Sequence, residues 1–407
     1  MNALSPRALW IRLFLPFAAG YFLSYLYRTA NAVIGPVLAG ELALGDNALG
    51  LLTSTYFLAF GAAQLPLGML LDRYGPRRVE SVLLLIASAG TLVFALAEGL
   101  AGLALGRALI GLGVSACLMA SFKAFAQWYP PERLASMTGW IMTAGGLGAL
   151  AAAQPLEWAL GFGGWRAICL GLAAATLVVA LLLWLLAPDK PATGQVQGLA
   201  AQLAGVRHIF ASPLFWRHVP MAFWLTGGFM AVQGLWVSRW MTVLEGMDRA
   251  AIAQRLSLIN GAMLAGFLFM GFFATRLVRR GVSLDKVHLG ACRLSMLARA
   301  MVCVLPDRGG SLWWPVLGFC FALSNIAYSR VTSAFPEAYA GRANTALNLL
   351  VFAGAFLLQW GTGLIVDGLQ AAGWSVAQAY RISFATLLAG QVLALFWLLR
   401  PLPGSPR

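Results

Sequence analysis

Among the cations within or at the end of strongly apolar runs are Arg28, Lys123, Arg239 and Arg330. Arg28 lies near the middle of its run and Arg330 in the inner half of its own. Lys123 and Arg239 lie toward opposite ends of theirs. A charge at the centre of a bilayer costs ~2.5–3.5 kcal/mol on insertion scales, so it turns toward protein or water and marks a path. Cations close to the end of a run can instead reach the interface. No carboxylate is placed deep in a run to balance them. Glu80, Glu132, Asp285 and Glu337 fall near the ends assigned below to the cytoplasm, and Glu41, Asp46, Glu98, Glu157, Glu245 and Asp367 near the others. Unbalanced cations at low dielectric favour an anion and repel a cationic ligand. Arginine presents a planar fork to carboxylate or phosphate, and lysine a point charge. The chemistry is binding rather than bond making. His208, His218 and His288 are scattered, and the five Cys show no C-x-x-C spacing, so no metal, disulfide framework, cofactor or enzyme activity is expected.

The elements that position these cations follow from composition. The chain has 407 residues, 60% hydrophobic and 10% charged, where a soluble protein carries about a quarter charged. Runs free of Asp, Glu, Lys and Arg recur at 47–71, 81–97, 108–122, 134–156, 167–188, 219–238, 256–275, 309–329, 343–366 and 382–399. Two more are interrupted: 13–39 by Arg28, and 287–305 by Arg293 and Arg299. Most reach the ~20 residues a helix needs to cross the hydrocarbon. The expected fold is an all-helical membrane protein with twelve transmembrane helices in two pseudo-symmetric six-helix bundles. The first run is too long for a signal peptide and carries a central Arg, so a retained first helix is expected.

The net charge is +14. Nucleic-acid binding would gather the cations into one patch, whereas here they are spread between runs. With a cytoplasmic N-terminus, sixteen cations fall in cytoplasmic segments and five opposite: Arg166, Arg249, Arg255, Arg308 and Arg381. That bias predicts both termini in the cytoplasm. Pro188, Asp189, Lys190, Pro191, Gly194 and three Gln break the apolar pattern between 188 and 217. The division is therefore 1–187, a cytoplasmic linker 188–217, and 218–407. Within the linker, Leu199, Leu203, Val206 and Phe210 recur at near-helical spacing, which fits an interfacial helix or a solvated linker equally.

The halves repeat. Gly68-Met-Leu-Leu-Asp72-Arg73-Tyr-Gly75-Pro-Arg77-Arg78 follows the second run, and Gly271-Phe-Phe-Ala-Thr275-Arg276-Leu-Val278-Arg279-Arg280 follows the eighth. Duplicated halves suit a transporter with its site between them, near the midplane. Gly68 is expected to permit close helix approach, and Arg73, Arg77 and Arg78 to hold the loop at the anionic membrane surface. Asp72 is expected either to face the positive end of the eleventh span, near Ala343 and Asn344, as a latch, or to pair with a neighbouring loop Arg.

The first segment resembles the loop signature of the major facilitator superfamily, G-x-L-x-D-R-x-G-x-R, and Arg107-Ala-Leu-Ile-Gly111-Leu-Gly113 is similar to its element in span four. The resemblance covers essentially the whole chain. It implies a secondary transporter using alternating access, with spans one, four, seven and ten lining the path. Gly68, Asp72, Arg73, Gly75, Arg77 and Arg107 would then serve conformational gating. Ser24-Tyr25-Leu26-Tyr27-Arg28, with Asn31 and Pro36, resembles the anion:cation symporter branch. That branch carries sugar acids, other carboxylates and phosphates. Tyr27 and Val114 stand where it often has Asp and Glu, the expected proton carriers. Exchange, facilitated diffusion or a proton travelling on the substrate would all fit.

The expected substrate-binding set is Arg28, Lys123 and Arg330, with Tyr25, Tyr27, Asn31, Gln233 and Asn325 as polar contacts. Tyr56, Asn260, Asn348 and Gln359 are further polar candidates. Interhelical hydrogen bonding is the competing role for each. The expected partners are a small anionic substrate, the lipid bilayer and, in the coupled alternatives, a coupling ion. No nucleic acid is expected, and the chain is expected to be monomeric in a bacterial inner membrane. The alternatives are a proton-coupled exporter of an amphipathic metabolite or drug, and a membrane receptor that binds without transporting.

Overall fold

The computed structural model describes residues 5–189, 199–305, 310 and 312–400. The expected spans fall on helices, labelled here in chain order. In the first half they are α1 (Pro6–Glu41), α2 (Asp46–Tyr74), α3 (Pro76–Leu96), α4 (Leu100–Trp128), α5 (Pro131–Ala151) and α6 (Gln154–Leu186). A short helix, α7 (Leu199–Phe210), lies on the linker segment that showed helical spacing. In the second half they are α8 (213–243), α9 (Arg249–Arg279), α10 (Leu284–Val304), α11 (314–333), α12 (Glu337–Ala371) and α13 (Val376–Leu399). Among the described residues nine helices are by themselves long and apolar enough to cross a membrane, and no strand is present. The linker residues 190–198 lie outside the described residues.

The chain divides into two compact units. One is Met1–Ala43 with Thr55–Val196, and the other is Leu44–Ser54 with Gln197–Arg407. The first turns of α2 therefore belong to the second unit and are described with it.

Local chemistry explains the breaks. Gly75 joins α2 to α3 with φ 79, a left-handed conformation that costs glycine little, and Pro76 opens α3 where a missing N–H is harmless. α4 is interrupted between Gly113 and Cys117. The hydroxyl of Ser24 donates to the Val114 carbonyl there at 3.3 Å, so a second helix satisfies the break. α8 contains wide π turns at Ala222–Gly227 and Val232–Trp236, and α11 breaks at Asn325.

Each unit has its own core. In the first, Phe17 and Phe125 pack edge to face. In the second, Phe229 stacks on Phe321, and Trp240 and Trp314 pack against Phe384. The opposite faces carry exposed Phe162, Leu185, Leu393 and Phe396. An apolar exterior of this kind is what a hydrocarbon solvent requires.

Close approach is built differently from the expectation for Gly68. A Cβ at Gly68 would meet nothing within 4 Å, so close approach is not that residue's role here. The tight contact lies on α4, where Gly111 sits directly on the Tyr56 carbonyl of α2.

Candidate functional site

Arg28 is buried in the middle of α1, 8% exposed. Its guanidinium lies 4.5 Å from the Tyr25 ring centroid and 5.4 Å from that of Phe60. The Tyr56 hydroxyl is a hydrogen-bond neighbour of Arg28 and also donates to the Ser24 carbonyl at 3.4 Å. The helix repeat produces this bed: Tyr21, Tyr25 and Arg28 follow i, i+4, i+7 and share one face of α1, and α2 contributes Tyr56 and Phe60. Aromatic faces and phenol oxygens solvate a cation partly while leaving its net charge in place.

Tyr27 and Asn31 lie on a different face. The Tyr27 hydroxyl pairs with Thr176 at 2.8 Å and accepts from Thr91 at 2.9 Å. Arg107 of α4 donates to the Tyr27 carbonyl at 3.2 Å and to the Asn31 side-chain oxygen. Tyr27, Thr91 and Arg107, with Phe94 and Cys169, line a small cavity. Tyr25 is therefore grouped with Arg28, whereas Tyr27 and Asn31 are grouped with Arg107.

The premise that the span cations lack acidic partners fails for Lys123, Arg330 and Arg239. Lys123 Nζ lies 2.5 Å from Asp72 Oδ1. Arg330 Nε lies 2.6 Å from Asp285 Oδ1. Arg239 donates to Asp46 Oδ1 at 2.6 and 3.0 Å, and Tyr380 donates to Asp46 Oδ2 at 2.8 Å. The pairing was hidden because 51 residues separate Lys123 from Asp72 and 193 separate Arg239 from Asp46. Asp72 binds an α4 lysine, not a loop arginine. In the loop itself, Arg78 pairs with Asp189 at 3.2 Å, Arg77 lies over the Trp184 ring at 5.7 Å, and Arg73 lies over Tyr74 at 5.2 Å.

A second premise fails for Glu80. It stands near the start of α3, as expected, yet it is 0% exposed. A position beside an apolar run does not reveal burial, which depends on the neighbouring helices.

In the second unit the polar candidates are hydrogen-bonded within the protein. Gln233 Nε2 donates to Asn260 Oδ1 at 2.6 Å. Asn325 donates to the Ala322 carbonyl at 3.3 Å, at the break in α11. Tyr328 donates to Asn348 at 2.8 Å. Gln359 donates to Thr53, and its carbonyl accepts from Trp236 at 2.9 Å.

Residues 17–359 match the sequence model of the Major Facilitator Superfamily, and the chain belongs to that superfamily. It is an integral membrane transporter of a small molecule, not an enzyme. Among its relatives is the probable sulfoacetate transporter SauU of Cupriavidus necator, 25% identical over 301 residues, which is 70% of this chain and 69% of that one. The galacturonate transporter of Dickeya chrysanthemi is 28% identical over 169 residues, 41% of this chain and 48% of the relative. The same fold is found in a bacterial homolog of the human lysosomal transporter Spinster, at TM-score 0.77 and 19% identity, covering 97% of each chain.

Proposed function

We propose that the protein moves a small organic anion, a carboxylate, sulfonate or organophosphate, by alternating access. Arg28 binds the anionic group. The observation that carries this reading is the guanidinium buried at mid-helix on a bed of Tyr25, Tyr56 and Phe60. An arginine held there is desolvated, pre-oriented and able to offer parallel N–H donors to an oxyanion. An amphipathic cation would meet like charge at low dielectric. Relatives named for sulfoacetate and galacturonate, both anions, support the same substrate class.

Tyr25 and Tyr56 orient the guanidinium in this reading, and Gln233 and Asn325 remain candidates for substrate hydroxyls. Lys123 and Arg330, each held by an aspartate, act in the conformational cycle rather than as first contacts with substrate. Gly68, Asp72, Arg73, Gly75, Arg77 and Arg107 belong to the gating set. The division at 1–187, 188–217 and 218–407 gives the halves that rock, as a monomer in a bacterial inner membrane with both termini cytoplasmic.

Counterflow in proteoliposomes with labelled sulfoacetate, galacturonate and other organic acids tests the reading. Wild type should exchange at least one acid and Arg28→Ala none. Exchange of no acid by wild type would overturn the reading.

A further inference from the structure

Glu80 is a carboxylate of the first unit with no exposed surface. Its oxygens meet no N–H or O–H donor, the weakly donating Cys117 thiol being the group that faces them, and no Lys or Arg forms a salt bridge with it among the described residues. α4 and α6 pack against α3, and α1 approaches it at Gly20. From α1, Gly20 lays bare backbone against Glu80 Oε1, and any side chain there would collide with the carboxylate. From α4, the buried Cys117 thiol is the ionisable group facing it, and that thiol in turn feels the charge of Arg28. α6 brings no titratable group to Glu80 among the described residues.

A buried ionised carboxylate faced only by a weak thiol donor and paired with no cation among the described residues is strongly disfavoured, and a proton on one oxygen removes the charge. We propose that Glu80 is a proton-binding site through which transport is coupled to a proton gradient. The route differs from the carboxylates that Tyr27 and Val114 replace. Gly20 stands eight residues before Arg28 on α1, about 12 Å along the same helix. A shift of α1 on anion binding moves Gly20 off the carboxyl and admits water. The O–H bond then breaks, the proton passes to water and the carboxylate remains until it is protonated again. Packed contacts of this kind switch between discrete arrangements.

The coupling role rests on the anion-transport reading, whereas the protonation of Glu80 does not. The two are tested apart on the full chain. Infrared difference spectra at neutral pH should show a protonated-carboxyl band in wild type, lost in Glu80→Gln and retained in Glu80→Asp. The same band in Glu80→Gln would overturn the proposal. In proteoliposomes with labelled sulfoacetate and galacturonate, wild type should accumulate its acid under an imposed pH gradient. Glu80→Gln should lose that accumulation while still exchanging the acid, and Glu80→Asp should keep both. Undiminished gradient-driven accumulation in Glu80→Gln would overturn the coupling role. If wild type exchanges neither acid, the anion reading fails and the infrared result alone decides Glu80.

Discussion

Arg28 and Lys123 belong to the same unit yet are accommodated in different ways. Lys123 sits toward the end of its run with a 27% exposed side chain, and it pairs with Asp72, 63% exposed. Arg330 repeats that pattern in the other unit with Asp285, 66% exposed. Arg28, at mid-helix, rests on rings and phenol oxygens. Depth accounts for the difference. Near the surface an ion pair costs little to assemble and contributes little. Deep in the span, aromatic rings and phenol oxygens lower the burial cost of a guanidinium. The end cations pair with aspartates, and the central one is the proposed anion site.

The largest stability effect is expected at the third kind of cation. Arg239→Ala strands Asp46, which is 5% exposed, and should cost about 3 kcal/mol, the low end for breaking a buried pair, since Tyr380 still donates to Asp46. Thermal unfolding in detergent measures it. Arg239→Lys should recover part of the loss, and equal stability of wild type and Arg239→Ala would show that Asp46 is not buried as described.

A smaller effect is expected in the Arg28 bed. Tyr56→Phe removes the hydroxyl beside Arg28 and one hydrogen bond, about 1 kcal/mol, and should weaken anion binding about fivefold with little loss of fold stability. Unchanged affinity would separate Tyr56 from the site.

The smallest effects are expected at the exposed pairs. Asp72→Asn and Asp285→Asn should each change stability by ~0–1 kcal/mol, and less at high salt. Lys123→Gln should leave equilibrium anion binding within about twofold of wild type, as fits a partner whose cost is below 1 kcal/mol. Loss of binding in Lys123→Gln as complete as in Arg28→Ala would break the distinction between end and central cations.

The sequence exposed some of this arrangement and concealed the rest for physical reasons. Arg28 was legible because a charge inside an apolar run is costly wherever the helix turns it. Tyr25 stood out as a polar residue of the segment that resembles the anion:cation symporter branch. Helix positions followed from run length. Tyr56 was visible only as one polar residue among many, because its relation to Arg28 crosses from α2 to α1. The acidic partners of Lys123, Arg239 and Arg330 were hidden by sequence separation. Glu80 was misjudged because hydropathy measures a residue's neighbours in the chain, whereas its burial is set by Gly20 and Cys117 on other helices. Tyr27 and Asn31 looked like companions of Arg28 from proximity in sequence, yet the helix repeat turns them toward Arg107.

The central claim is that the mid-helix guanidinium is the anion receptor. Ligand-dependent thermal shift of purified wild type, Arg28→Lys and Arg28→Ala against sulfoacetate, galacturonate and other organic acids tests it most directly. The account predicts a saturable stabilisation of wild type by at least one acid, a weaker one for Arg28→Lys, which keeps the charge without the fork, and none for Arg28→Ala. Equal stabilisation of wild type and Arg28→Ala by the same acid would contradict it.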